Sequence, residues 1–191
     1  MTRDSERIYD EFLVSAAQTG DRPALSRLVA RWQPRLFRYA WRVLGDSERA
    51  KDVVQEAWVE ILRGLGRLDD VVAFPAWAYR IVTRRCQRRF QRTARDLVES
   101  EWDESDESES AAHTPESASG EFAAELSDVM NAIRTLPPLQ RAALALFYIE
   151  ELSVAEIAIA TDVPPGTVKT RLMHARRKVR SLLKETNHEQ D

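Results

Sequence analysis

The stretch from Leu152 to Leu172, LSVAEIAIATDVPPGTVKTRL, constrains this chain more than any other and reads as two short helices joined by a tight turn. Ser153 is placed to cap the first helix, and Glu156 completes a capping box. Ile157 and Ala160 share an inward face. Asp162 falls in the turn, where its side chain tolerates left-handed backbone. Pro164 and Pro165 suit the start of a second helix, because the N–H that proline lacks would have no partner there. Val168, Leu172, Ala175, Val179 and Leu182 then recur at helical spacing as a buried stripe. Lys169, Thr170, Arg171, His174, Arg176 and Arg177 lie opposite. A short helix, a sharp turn and a longer basic helix are the parts of a helix-turn-helix, whose second helix fits a DNA major groove. The same residues also describe a helical hairpin with a solvated basic face, so the rest of the chain must decide.

Charge bears on that choice. The net charge of −3 is an average over unlike parts. Residues 1–95 hold 19 basic and 12 acidic groups, whereas residues 96–125 hold 11 acidic and none basic. Two basic regions are thus separated by an acidic strap. The chain of 191 residues, 43% hydrophobic and 31% charged, suits one large or two small globular domains. It has no apolar run of membrane-spanning length and no signal segment, which implies no membrane insertion and a cytoplasmic location. The single cysteine, Cys86, leaves no internal disulfide or cysteine-based zinc site, and three scattered histidines form no metal constellation. No cofactor is expected.

Helical periodicity runs through most of the chain. Residues 5–19 read as an amphipathic helix with Ile8, Phe12, Leu13 and Ala16 inward. Asp21 caps a second helix reaching Leu44, rich in aromatics (Trp32, Phe37, Tyr39, Trp41), with a kink or boundary expected at Pro34. Asp46 caps a third, 47–65, on the stripe Ala50, Val54, Ala57, Ile61 and Leu65. On another face of it lie Asp52, Gln55 and Glu56. These read either as a solvated acidic edge or as an acid/base pair, and no His, Lys or metal-ligand pattern accompanies them to make an active site. Gly64 and Gly66 open a loop to Pro75. Residues 76–95 form a helix with Arg80, Arg84, Arg85, Arg88, Arg89, Arg92 and Arg95 among Trp77, Tyr79 and Phe90. Seven arginines with no acid between them cannot all be paired within that helix, and arginine interleaved with aromatics suits phosphates and exposed bases. Residues 96–120 lack the apolar content for a core and read as a disordered linker, with Trp102 its one apolar anchor. Helices at 121–136 and 139–149 follow, then the helix-turn-helix and a polar tail that frays after Leu183.

These residues resemble a known family, the RNA polymerase sigma factors of the sigma-70 class, extracytoplasmic-function group. Residues 50–58, AKDVVQEAW, resemble the AEDVVQEVF-type stretch of region 2, and 74–82, FPAWAYRIV, resemble the F-x-x-W-L-x-x-I-A stretch that follows it. Residues 136–141, LPPLQR, resemble the LPPxxR opening of region 4, and 165–172, PGTVKTRL, are similar to GTVKSRL. The resemblance implies an all-α chain of two small helical domains, region 2 over 1–95 and region 4 over 122–191, joined by an acidic flexible linker over 96–121.

It also implies roles. Asp52, Gln55 and Glu56 would grip the β′ clamp of core RNA polymerase, which replaces the solvated-edge reading. The loop 66–75 with Arg80, Arg84, Arg85, Arg88 and Arg89 would open the −10 element and hold an extruded base, which costs a few kcal/mol of unstacking. Thr167, Lys169, Thr170, Arg171, His174 and Arg177 would read the −35 element, and region 4 would meet the β flap. The linker would follow a basic polymerase channel near the RNA path. Family members are commonly held by an anti-sigma factor. The family usually has Asn near Arg84, Gly where Asp162 stands, Ser at Thr170, and His-Arg where this chain has Met173-His174. The last change loses a bidentate guanine contact and implies a −35 sequence of its own. The implied activity is promoter-directed transcription initiation without catalysis. Its alternative, a stand-alone helix-turn-helix regulator, leaves the Asp52 face and the arginine helix without a task.

Overall fold

The computed structural model describes residues 3–100 and 129–188, with side chains over 5–92 and 129–183; residues 96–100, expected to open the linker, continue the helix before them, and the rest of the strap with Trp102 lies outside the described residues. Among the described residues the chain is helical throughout, without strands. Four helices come first: α1 (Arg3–Gln18), α2 (Arg22–Leu44), α3 (Ser47–Gly64) and α4 (Phe74–Ser100). After the strap come α5, described over 129–134, then α6 (Pro138–Tyr148), α7 (Val154–Thr161) and α8 (Pro165–His188). α8 runs past Leu183, where fraying was expected.

Local chemistry sets most boundaries. Asp21 accepts from the Ala24 N–H at 3.0 Å, and Asp46 from the Arg49 N–H at 2.9 Å. Each satisfies one of the donors that a helix start leaves open. Gly45 closes α2 at φ 77°, a left-handed cap that glycine adopts without strain. α2 passes through Pro34 as one helix, so no boundary falls there. The rows on both sides of the proline, Leu28, Trp32, Leu36 and Tyr39, are fully buried and hold the helix together across the missing hydrogen bond.

The first four helices pack as a bundle, α1 on α2, α2 on α3 and α4, and α3 on α4. Its centre is aromatic. Trp32 meets Phe74 edge-on at 5.0 Å and Tyr79 at 5.8 Å, and Tyr39 meets Tyr79 at 5.1 Å. All four rings are fully buried. Burial of each is worth about 1.5–3 kcal/mol. On α1 the inward row is Asp10, Leu13 and Val14, whereas Ile8 and Phe12 are 63% and 60% exposed. The expected inward face is thus turned by about one residue, because α1 must bring Asp10 to Arg31 of α2 at 2.5 Å. Two short 3-10 turns, Leu65–Arg67 and Val71–Ala73, shape the loop before α4. The Gln18 side chain ties that loop to α1 by donating to the carbonyls of Leu65 and Leu68, at 2.9 and 2.7 Å.

In the second half, α6 and α7 pack on α8. Val168, Leu172 and Ala175 are buried, while Val179 and Leu182 are half-buried. The two halves also meet, α7 against α4 and α6 against α2, and their apolar residues form one continuous core.

Two consequences are measurable. A Cβ on Gly64 would stand 2.8 Å from Cζ2 of Trp77, whereas one on Gly66 would meet nothing within 4 Å. Gly64→Ala is therefore expected to lower unfolding stability by about 1 kcal/mol in a denaturant titration, with Gly66→Ala close to neutral. In the capping box, partial burial tends to raise the Glu156 carboxyl, but hydrogen bonds from Ser153 and the charge of Arg7 outweigh it and hold the group below its usual value. Stability from a depressed carboxyl is present above its unfolded value, about 4.3, and is lost as pH falls through the folded one. The stability gap between the parent chain and Glu156→Gln should therefore be full near neutral pH and close below about pH 4.

Candidate nucleic-acid interface

The geometry starts at α3. Ala50, Val53, Val54, Ala57 and Trp58 face the core, which leaves Asp52, Gln55 and Glu56 exposed on the outer side of the helix. α4 runs alongside in the opposite sense, and its arginines meet this face in order. Arg89 Nη2 reaches Asp52 Oδ2 at 2.8 Å, Arg85 Nη1 reaches Glu56 Oε2 at 2.5 Å, and Arg85 Nη2 reaches Glu60 Oε2 at 2.9 Å. Arg84 pairs with the other oxygen of Glu60. Residues expected to serve two separate sites are therefore rungs of one ladder of ion pairs.

This alters the reading of the arginine helix. Arg84, Arg85 and Arg89 do not form an unpaired cationic face, because their partners lie on the neighbouring helix. Among the described residues, Arg88 and Arg92 are exposed with no carboxylate in ion-pair range. Arg80 turns to the second half, where its Nη2 meets Asp162 Oδ1 at 2.9 Å. Glu60 was not foreseen as part of the site. Its signal was present in the sequence, since Asp52, Glu56 and Glu60 are spaced four apart, as are Arg85 and Arg89.

The helix-turn-helix forms as expected. The Ser153 hydroxyl accepts from the Glu156 N–H at 3.2 Å, and the Glu156 carboxylate accepts from the Ser153 N–H at 2.7 Å. Asp162 takes the left-handed turn position at φ 55°. On α8, Lys169, Thr170 and Arg177 are exposed, and Thr167 and His174 are half-covered. Thr170 donates back to the Gly166 carbonyl at 3.0 Å. Arg171 lies partly withdrawn. Burial lowers its guanidinium below its ordinary value, and its Nη1 is buried without a hydrogen-bond partner among the described residues. Gln140, Lys178 and Ser181 join His174 and Arg177 around an open basic hollow. Lys178 also donates to the Thr135 carbonyl at 3.1 Å, tying α8 to the end of α5.

Between α5, α6 and α8, Val129, Ile133, Leu144, Tyr148, Val179 and Leu183, with Arg176 and Arg180, line a largely apolar groove of about 460 Å³. Arg176 lies on its rim, 5.4 Å from the ring centres of both Phe147 and Tyr148. Among the described residues there is no cluster of potential metal ligands, and no helix is long and apolar enough to cross a membrane.

Comparison with known proteins accounts for both halves. The model of sigma-70 region 2 matches residues 28–96, and that of sigma-70 region 4 matches residues 126–179. The chain is 32% identical to the RNA polymerase sigma-H factor of Pseudomonas aeruginosa, covering 89% of this chain and 91% of that protein. It is likewise 32% identical to the ECF RNA polymerase sigma-E factor of Escherichia coli K12, covering 92% and 94%. Among solved structures, CnrH in complex with the cytosolic domain of CnrY superposes with a TM-score of 0.65 at 26% identity, covering 93% of this chain and 98% of that one. The fold is also that of the sigma factor RpoE in complex with the anti-sigma factor NepR from Bartonella quintana, with a TM-score of 0.70 at 21% identity, covering 84% and 96%. These relatives are sigma factors, and sigma-70 regions 2 and 4 are both matched within this one chain. The chain therefore belongs to the sigma-70 family of RNA polymerase sigma factors, in its extracytoplasmic-function group.

Proposed function

We propose that two units of this chain divide the work of promoter-specific transcription initiation: residues 1–95 hold core polymerase and open the −10 element, and residues 122–191 read the −35 element. The acidic segment 96–121 connects them. The observation that carries this reading is the pairing, within one chain, of an exposed Asp52-Gln55-Glu56 face with an exposed recognition helix. A stand-alone regulator would need only the second.

Asp52, Gln55 and Glu56 offer carboxylates and an amide, which suit the basic side chains of a clamp. Arg88, exposed beside the ladder, is the first phosphate anchor toward −10 DNA, with Arg80, Arg84, Arg85 and Arg89 joining once released from their carboxylates. Lys169, Thr170 and Arg177 face the −35 duplex directly, and Thr167, His174 and Arg171 contribute at the edges. Gln140, Lys178 and Ser181 extend the same surface toward the phosphates. The apolar groove between α5, α6 and α8 is the surface offered to the β flap. The partners are core polymerase, promoter DNA and an anti-sigma protein of the kind seen with the structural neighbours, all met in the cytoplasm.

Run-off transcription with core polymerase on promoter fragments tests the reading as a whole; starts that require this protein support it, and duplex binding without such starts favours the stand-alone regulator. Two variants test its parts. Asp52 and Glu56 are more than half exposed, and exposed ion pairs contribute only about 0.2–1 kcal/mol each. The double variant Asp52→Ala/Glu56→Ala should therefore keep its helical circular dichroism while losing core polymerase in a pull-down. Retained binding would remove that assignment. Lys169→Ala should weaken promoter binding by the polymerase complex across all sequences and reduce the slope of log affinity against log salt by about 1. An unchanged slope would place Lys169 away from the phosphates.

A further inference from the structure

The outer face of α8 carries one residue that phosphate binding and polar readout leave without a task. Val168, Leu172 and Ala175 turn inward, and Lys169, Thr170, Met173 and Arg177 share the opposite side at spacings of three and four. Met173 is 56% exposed at the centre of that side, with Lys169 one turn before it and Arg177 one turn after. It stands eight residues beyond Pro165. At about 1.5 Å per residue that is about 12 Å along the axis, still within the roughly 12 Å width of a major groove. The face offered to duplex DNA therefore has an apolar centre and a basic rim.

A thioether limits what this centre can do. It has no charge to hold a phosphate and no N–H to give to the acceptors of guanine or adenine. Packed against those edges, it would strip water from polar groups without replacing the lost hydrogen bonds. The major groove offers one apolar group, the C5 methyl of thymine. A methionine side chain is unbranched, flexible and polarisable, so it adapts to a methyl group that a stiffer side chain would miss. The neighbouring residues cover the other tasks. Lys169 and Arg177 supply charge, and His174, half-covered, lines the hollow shared with Gln140, Lys178 and Ser181.

We infer that Met173 is a specificity-determining residue of this chain, and that it selects a thymine in the −35 element through the C5 methyl group. The inference rests on the reading of residues 122–191 as the −35-binding unit.

Uracil differs from thymine only in lacking that methyl group. On a promoter fragment whose start requires this protein, each thymine of the −35 element is replaced in turn by uracil, and binding by the complex with core polymerase is titrated. One replacement should weaken binding about fourfold, the worth of one buried methyl group. Met173→Ala should weaken binding to the unmodified fragment by at least a similar factor, and should no longer respond to uracil at that position. Met173→Leu should keep the response, whereas Met173→Gln, equally long but polar, should lose it. The slope of log affinity against log salt should stay at the parent value in all three variants, because no phosphate contact is lost. Their helical circular dichroism should match the parent, since the side chain is exposed. A scan in which no thymine methyl matters, or in which the parent and Met173→Ala respond alike at every position, overturns the assignment. If no start requires this protein, the initiation reading fails separately, and the scan is made on duplexes that the chain alone retains from a random pool. The same outcomes then decide Met173, and retention of no duplex overturns it together with the reading.

Discussion

The structure depends on the demand that a buried phenol makes for a partner. Tyr79 lies between Trp32 and Tyr39 at the centre of the helical bundle, where its ring is wanted and its hydroxyl is not. Burial, reinforced by the charge of Glu150, keeps that hydroxyl protonated far above the ordinary range. A protonated phenol can donate, and the acceptor it finds is a carboxylate from the other half of the chain. The neighbouring Tyr39 solves the same problem locally, sharing a hydrogen bond with the Thr83 hydroxyl at 2.7 Å. One aromatic core thus needs one partner from its own helix pair and one from the helix-turn-helix half. Arg35 then follows as the charge that makes a buried Glu150 tolerable, and Asp10, itself paired with Arg31, helps hold Arg35 in place.

Charge organises the outer surface by a related logic. The antiparallel run of α3 and α4 sets acids four apart against arginines four apart, so the ladder closes with little distortion. The result is a surface on which the carboxylates proposed to meet polymerase and the arginines proposed to meet DNA neutralise one another. The second half keeps its cations differently. Lys169 and Arg177 stand exposed, Lys178 closes the end of α5, Arg176 lies over two aromatic rings and Arg171 is drawn partly inward. A count of basic residues on α8 would overstate what it presents to DNA.

Features governed by a few adjacent residues were legible in advance. The Ser153–Glu156 box, the Asp21 and Asp46 caps and the left-handed Asp162 each follow from chemistry within four residues. The stripe on α8 and the exposed Asp52 face follow from helical period alone. The inward row of α1 was misread because Ile8 and Phe12 look apolar, while the position that is buried, Asp10, looks polar. No rule of local pattern ranks a paired carboxylate above two large hydrophobes. A kink or a boundary was expected at Pro34 for the same reason, and the helix runs on without a boundary, since a missing hydrogen bond is local and the burial of Trp32 and Leu36 that outweighs it is not.

By itself, then, the order of residues determined the helices, their caps, the helix-turn-helix and the family, because these depend on spacings that survive in one dimension. Only the tertiary structure decided which charges are spoken for. The pairing of Asp52 with Arg89 joins residues 37 apart, Arg80 with Asp162 joins residues 82 apart, and Tyr79 with Glu150 joins residues 71 apart. Coulombic attraction and desolvation depend on distance and burial in space. A periodicity along the chain carries neither, and for that reason the arginine helix read as open while its structure is largely engaged.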